Sequence, residues 1–189
     1  RDTISLYLHV PFCHAKCHYC DFNSYAGLLG WRTRYVRALI AEVTALGQAA
    51  RLPDGQPRRC RTIFFGGGTP SLLRPAEVAA ILAAAHTAFA VDPAAEITLE
   101  ANPGTLERGQ LAGIRAVGVN RLSMGAQSFD AGLLKWMGRI HSPEEIVSAV
   151  EAARVAGFDN LNLDFIFALP DQTMEQWRDT LDRALQLAP

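Results

Sequence analysis

Three of the four cysteines, Cys13, Cys17 and Cys20, fall within eight residues, and Cys60 stands apart. The spacing C-x3-C-x2-C, placed in a loop, lets three thiolates point at one centre. Soft thiolates favour zinc, copper(I) or iron–sulfur clusters. Three protein ligands can hold a four-iron cluster and leave one iron open, whereas electron-transfer clusters take four cysteines. A zinc site completed by His9, His14 or His18 fits the same spacing. The polar surroundings (His14, Lys16, His18) argue against plain buried thiols, and a disulfide framework would be denser and more evenly spread. Cys60, among arginines in an expected loop, reads as an unligated thiol.

A second signal is Gly66-Gly67-Gly68-Thr69-Pro70, directly after an apolar run. Consecutive glycines let backbone approach a ligand closely, so that N–H and C=O groups make the contacts. The Lys-Ser/Thr ending of a phosphate-binding P-loop is missing. Glu100, Gln127, Arg139 and Asp164 lie at or near expected strand ends. Carboxylates there can accept hydrogen bonds from hydroxyl or amino groups, although salt bridges and helix caps use the same residues. Tyr7 points to one face of the first strand. His141 is expected as a solvated residue ahead of a helix cap, and Trp31, Trp136 and Trp177 as packing residues.

Strand and helix signals alternate along the chain and must position these groups. Ile4–Val10 reads as a strand, and Trp31–Ala50 carries apolar residues at helical spacing. Thr62–Phe65 is the second strand, and Pro75 opens a helix that runs through Phe89. Glu96–Ala101 is the third strand, and Thr105 can cap a helix that stops at Gly118. Val119–Met124 is the fourth strand, with a short helical piece near Leu133–Met137. Ser142-Pro143-Glu144-Glu145 is a capping box with proline at the first helical position, and Gly157 ends that helix. Leu161–Phe167 is the fifth strand, and Thr173–Gln176 opens a last helix with the same box spacing. Five βα units in series mean an α/β fold with a parallel sheet. Either a complete or partial barrel or a doubly wound open sheet satisfies that pattern. Both collect the strands' C-terminal ends on one rim, where ligands bind.

The chain has 189 residues, 49% hydrophobic and 20% charged, which excludes a disordered chain. A net charge of −1 supplies no global field for nucleic acid. The longest nearly apolar stretch, Val78–Val91, is shorter than the ~20 residues that span a bilayer. Arg1–Asp2 leads straight into a strand, with no secretory signal. The absent initiator Met and the stop inside a helical pattern read as a piece of a longer protein.

With SLYLHVPFCHAKCHYCDFNSY, TIFFGGGTPSLL, EITLEANPGT, GVNRLSMGAQSF, GRIH and NLDFIFALPDQT, the sequence resembles the radical S-adenosylmethionine (SAM) superfamily. Within it the chain is similar to the coproporphyrinogen dehydrogenase (HemN) family, and most to its HemW-type heme chaperone branch. The resemblance implies a partial (β/α)6 TIM-like barrel. Five of its units lie in a core domain over residues 1–189, and the sixth unit and a C-terminal domain lie outside. It implies a [4Fe–4S] cluster on Cys13, Cys17 and Cys20. The open iron chelates SAM through its amino and carboxylate groups, and one electron cleaves SAM to methionine and a 5′-deoxyadenosyl radical. The family's SAM contacts fall on Tyr7, Gly67, Gly68, Thr69 and Glu100. Those of a second SAM site fall on Tyr19, Gln127, Arg139 and Asp164, where Tyr19 replaces the usual phenylalanine.

The coproporphyrinogen enzymes typically carry a fourth cysteine two residues past the third; here that place is Phe22. C-D-F-N-S and E-A-N-P-G-T follow the chaperone pattern. The implied function is heme binding and delivery to heme-acceptor proteins, with an electron donor for the cluster; a solvent-accessible cluster on free thiols fits the cytoplasm. The alternative is oxidative decarboxylation of coproporphyrinogen III. The family's heme-associated His-Asn-x-x-Tyr-Trp-type segment lies outside this chain. Within it, His9, His14, His18 and His141 are the histidines in principle open to heme.

Overall fold

The computed structural model describes residues 2–106 and 108–189; Arg1 and Glu107 lie outside the described residues. The first strand, β1 (Thr3–Val10), alternates as its sequence requires. Leu8 and Val10 are buried, while Tyr7 faces the opposite side and is 60% exposed. Two-residue strands β2 (Phe12–Cys13) and β3 (Tyr25–Ala26) pair in parallel and bracket the cysteine loop. Helix α1 (Arg32–Ala49) follows, then β4 (Arg59–Gly67), α2 (Pro75–Ala88), β5 (Ala90–Ala101) and α3 (Arg108–Ala116). The chain continues through β6 (Arg121–Gln127), short α4 (Ala131–Trp136), α5 (Pro143–Val155), β7 (Asn160–Phe165) and α6 (Met174–Gln186).

The main sheet is all parallel, with strand order β1-β4-β5-β6-β7. Chain order and spatial order coincide, so every crossover steps one strand the same way. Right-handed crossovers then place the helices on a single face. A doubly wound sheet would reverse its order at a switch point. The absence of a reversal decides for the singly wound, partial TIM-like arrangement. Leu8, Ile63, Phe65, Leu99, Leu122 and Met124 from the strands share one core with Val36, Val43, Ile81, Leu111, Ile114 and Val150 from the helices. Phe129, Leu134, Met137, Ile146 and Ala184 form a second core under α4 and α6. The other face carries Tyr7, Phe64, Thr98, Glu100, Ser123, Asn162 and Asp164 and is largely polar. Among the described residues, no helix is long and apolar enough to cross a membrane.

Several boundaries differ from the sequence reading. The arginine-rich stretch is the start of β4, not a loop: Arg59 and Cys60 pair with Ala90 and Val91, and Arg59 bridges Asp92 at 3.0 Å. Cys60 is therefore a fully buried strand residue. The fourth strand begins at Arg121, because Asn120 spends its side chain on neighbouring backbone. Its Oδ1 accepts from Ile97 N and its Nδ2 donates to the Ala95 carbonyl. That strand continues to Gln127. The fifth ends at Phe165, where the next amide, Ile166 N, turns to the Gln127 carbonyl. Thr105 does not cap α3; its hydroxyl donates to the Asn102 carbonyl inside a 3-10 turn. The capping boxes at Ser142 and Thr173 are present as read.

Candidate functional site

The glycine segment and the cysteine loop are joined by backbone. Gly68 N donates to the Val10 carbonyl at 2.8 Å and Thr69 N to the Phe12 carbonyl at 2.7 Å, which extends the β1–β4 pairing past the strand ends. A Cβ on Gly68 would lie 2.6 Å from the Phe12 oxygen and 3.0 Å from Cys13 Sγ. Gly67 has φ +119°, and a Cβ there would strike the His9 ring at 2.5 Å. Glycine is needed at both places: by contact at Gly68, by contact and conformation at Gly67.

Each thiol has a neighbour of its own. Thr69 Oγ1 lies 3.6 Å from Cys13 Sγ, Arg139 Nη1 3.4 Å from Cys17 Sγ, and Ser24 Oγ 3.9 Å from Cys20 Sγ. All three thiols are free. They line a cavity of about 740 Å³ together with Gly67, Gly68 and Thr69. Tyr19, Glu100, Gln127, Arg139 and Asp164 line it too. Tyr7 is the one sequence-expected site residue that does not. It lies on the sheet's polar face, where its Oη donates to His9 Nδ1 at 3.2 Å and its ring stacks on Phe64.

The acidic side of the cavity is held by short contacts. Glu100 Oε2 accepts from Gly67 N at 3.0 Å. Burial raises the Glu100 pKa, the Gly67 N–H opposes that, and nearby Asp164 adds to it. Asp164 accepts from Ser123 Oγ at 3.1 Å and from Asn162 Nδ2 at 2.8 Å. Gln127 ends β6 with φ 69°, a left-handed conformation that costs a non-glycine residue on the order of 1 kcal/mol or more. Burial pushes the Tyr19 phenol up to about 12, with Arg139 opposing.

Arg139 reaches the cavity from the loop between α4 and α5. Its Nη2 donates to the Gly125 carbonyl at 2.7 Å, and its Nε is buried without a partner among the described residues. Behind it stands His141, which is 4% exposed and not the solvated residue expected from the helix cap beside it. His141 Nε2 lies 3.1 Å from the Ala126 carbonyl, which can only accept. Nδ1 lies 3.0 Å from Asn102 Oδ1 and 3.5 Å from Arg139 Nη2. Burial, helped by Arg139, lowers the His141 pKa to about 4. His141, Asn102 and Ser123 were missed because local sequence places them at a cap, a turn and a strand. Their roles arise from residues 15 to 41 positions away.

Of the three histidines proposed to complete a zinc site, His9 and His18 each hold a backbone carbonyl, and His14 borders a small cavity beside Cys17 and Thr69. His9 donates from Nε2 to the Asn23 carbonyl and accepts from Tyr7. His18 Nδ1 donates to the Trp136 carbonyl, and its ring borders a different depression. Among the described residues, no three His, Cys, Asp or Glu side chains are gathered as a mononuclear ion requires.

A sequence profile of the Radical SAM superfamily matches residues 7–184. The chain belongs to that superfamily. It is similar to the heme chaperone HemW of Haemophilus influenzae, at 42% identity over 188 residues, covering 98% of this chain and 49% of that protein. It is also similar to an oxygen-independent coproporphyrinogen III oxidase of Bradyrhizobium diazoefficiens, at 41% identity, covering 99% of this chain and 41% of that one. Among solved structures, coproporphyrinogen III oxidase (HemN) of Escherichia coli, a radical SAM enzyme, superposes with a TM-score of 0.86 at 34% identity. That likeness covers 98% of this chain and 42% of that one. These likenesses place the chain in the HemN-like part of the superfamily, near the HemW heme chaperones. The chain spans about half the length of the curated relatives it matches.

The superfamily implies a [4Fe–4S] cluster and SAM, and the residues present fit both. Three free thiols face one roomy cavity, soft donors suit iron–sulfur chemistry, and Gly68 leaves the space beside Cys13 clear. The unpartnered Arg139 Nε and the two carboxylates offer contacts to a ligand that carries both signs of charge.

Proposed function

We propose that this chain is the cofactor-binding core of a HemW-type heme chaperone, part of a longer protein that binds heme and delivers it to acceptor proteins. Cys13, Cys17 and Cys20 hold the cluster, Gly67, Gly68, Thr69 and Glu100 cradle SAM, and Tyr7 packs near it. When bound, the cluster supplies the electron that cleaves SAM. Three reduced thiols fit a reducing compartment such as the cytoplasm, where an electron donor meets the cluster. The observation that carries the chaperone reading is Phe22. It lines the cavity where the coproporphyrinogen enzymes typically place a fourth cysteine, and the chain's own fourth cysteine, Cys60, is buried in β4 away from it.

Oxidative decarboxylation of coproporphyrinogen III is the second reading. The HemN likeness favours it, as does the presence of Tyr19, Gln127, Arg139 and Asp164 in the same cavity. One experiment separates the two. The full chain, reconstituted anaerobically with iron and sulfide, is given SAM, a reductant and coproporphyrinogen III. The expected result is no protoporphyrinogen by chromatography, together with transfer of bound heme to an apo heme protein. Product at catalytic turnover would make the protein a dehydrogenase.

A further inference from the structure

The cysteine loop carries a histidine that the cluster site does not use. His18 follows Cys17, yet it faces away from the thiol cavity. Its backbone N donates to the Met137 carbonyl at 3.0 Å, and its Nδ1 donates to the Trp136 carbonyl at 2.8 Å. Its ring lies against Gly138, where a Cβ would come within 3.1 Å. Gly138 has φ +72°, so the loop is shaped to receive the imidazole. With Nδ1 holding the proton, Nε2 keeps a lone pair, and it has no partner among the described residues. A backbone carbonyl that fixes one ring nitrogen while the other is left bare is how proteins prepare histidine for a metal.

The surroundings narrow the choice of metal. His18 borders an open, mainly apolar depression of about 580 Å³, lined also by Gly132, Lys135 and Trp136. Helix α4 buries Leu133 and Leu134 and leaves Trp136 51% exposed beside His18. A bare zinc or copper ion would need two or three more ligands, and the described residues gather no such set. A metalloporphyrin brings four nitrogens of its own and asks the protein for one axial imidazole. It also offers an apolar plane for the tryptophan and carboxylates for the lysine.

We infer that His18, Trp136 and Lys135 form a heme-docking site on the outer side of the cluster loop, with His18 Nε2 as axial ligand. This rests on the chaperone reading for the identity of the cargo. The depression is open, as a site that must surrender its ligand requires, and the chain segment that carries Cys17 also carries the heme ligand. Cluster assembly and heme docking thus share one loop.

The test is a hemin titration of the full, cluster-loaded chain, followed by the Soret band and the axial-ligand signature in electron paramagnetic resonance. His18→Gln keeps an amide donor for the Trp136 carbonyl but offers iron no imidazole. The expected result is unchanged iron and sulfide content with hemin binding weaker by roughly 10–100-fold, the range typical of disturbed metal sites. Added imidazole should restore the wild-type spectrum in His18→Gly. In the wild type, hemin should protect His18 from acylation by diethylpyrocarbonate, read by mass spectrometry, which needs no variant to fold. Unchanged binding and spectrum in His18→Gln, or no protection of His18 in a hemin-bound wild type, overturns this site and leaves the chaperone reading standing. A wild type that binds no hemin overturns both.

Discussion

At the residue scale, the site depends on a few contacts that cannot be shared out. Cys17 takes one corner of the thiol set, and Arg139 is aimed at its sulfur. Cys17→Ala is expected to abolish cluster assembly, measured as iron and sulfide content after anaerobic reconstitution. Intact content would remove the thiols from the cluster's ligand set. His141 carries a prediction about acid. Its native pKa of about 4 lies below its ordinary 6.5, so the unfolded chain binds the proton more tightly than the native one. Stability from this group is complete above pH 6.5 and is lost as pH falls towards 4, with a slope approaching about 1.4 kcal/mol per pH unit. Denaturant unfolding between pH 7 and 4 should show this slope in the wild type and not in His141→Gln. The cysteine triplet was legible because its meaning lies in spacing. His141 was not, because its meaning lies in the Ala126 carbonyl and the Arg139 guanidinium, which the fold brings to it.

At the element scale, strand and helix order follow from alternation and caps that the sequence displays openly, such as the Ser142–Glu145 box. Where boundaries moved, a tertiary partner moved them. The start of β4 is drawn back to Arg59 by pairing with Ala90 and Val91, a register invisible to local patterning. The contact of α1 with α2 is equally tertiary. A Cβ on Gly47 would lie 2.5 Å from Ala88 Cβ. Alanine favours a helix over glycine by about 1 kcal/mol, yet here it would push two packed helices apart. Gly47→Ala is expected to cost about 1–3 kcal/mol net, read from the denaturant midpoint. A stabilised variant would show that the helices separate without penalty.

At the scale of the whole molecule, the cavity joins segments from distant parts of the chain: the loop after β1, the ends of β4 and β5, strands β6 and β7, and the loop before α5. A ligand that touches all of them binds only the folded chain and so stabilises it as a unit. SAM at ~100 times its Kd should add about 2.7 kcal/mol to the cluster-loaded chain. That raises Tm by roughly 5–10 °C for a chain of this size. Calorimetry on the cluster-loaded chain with and without SAM checks this. An unmoved Tm at saturating SAM would mean the cavity does not take it.

The five βα units, the rim on which the motifs gather and the thiol spacing that points to a cluster are all read from the residues in order. These rest on period, punctuation and ligand count, which are local properties of a chain. The single winding direction of the sheet, the place of Tyr7 outside the cavity, the buried histidine behind Arg139 and the meeting of His18 with Trp136 on the outer side of the loop come from the folded chain. Each of these depends on which strand or loop lies beside which. That is settled by the packing of side chains far apart in sequence, and no window of neighbouring residues contains it.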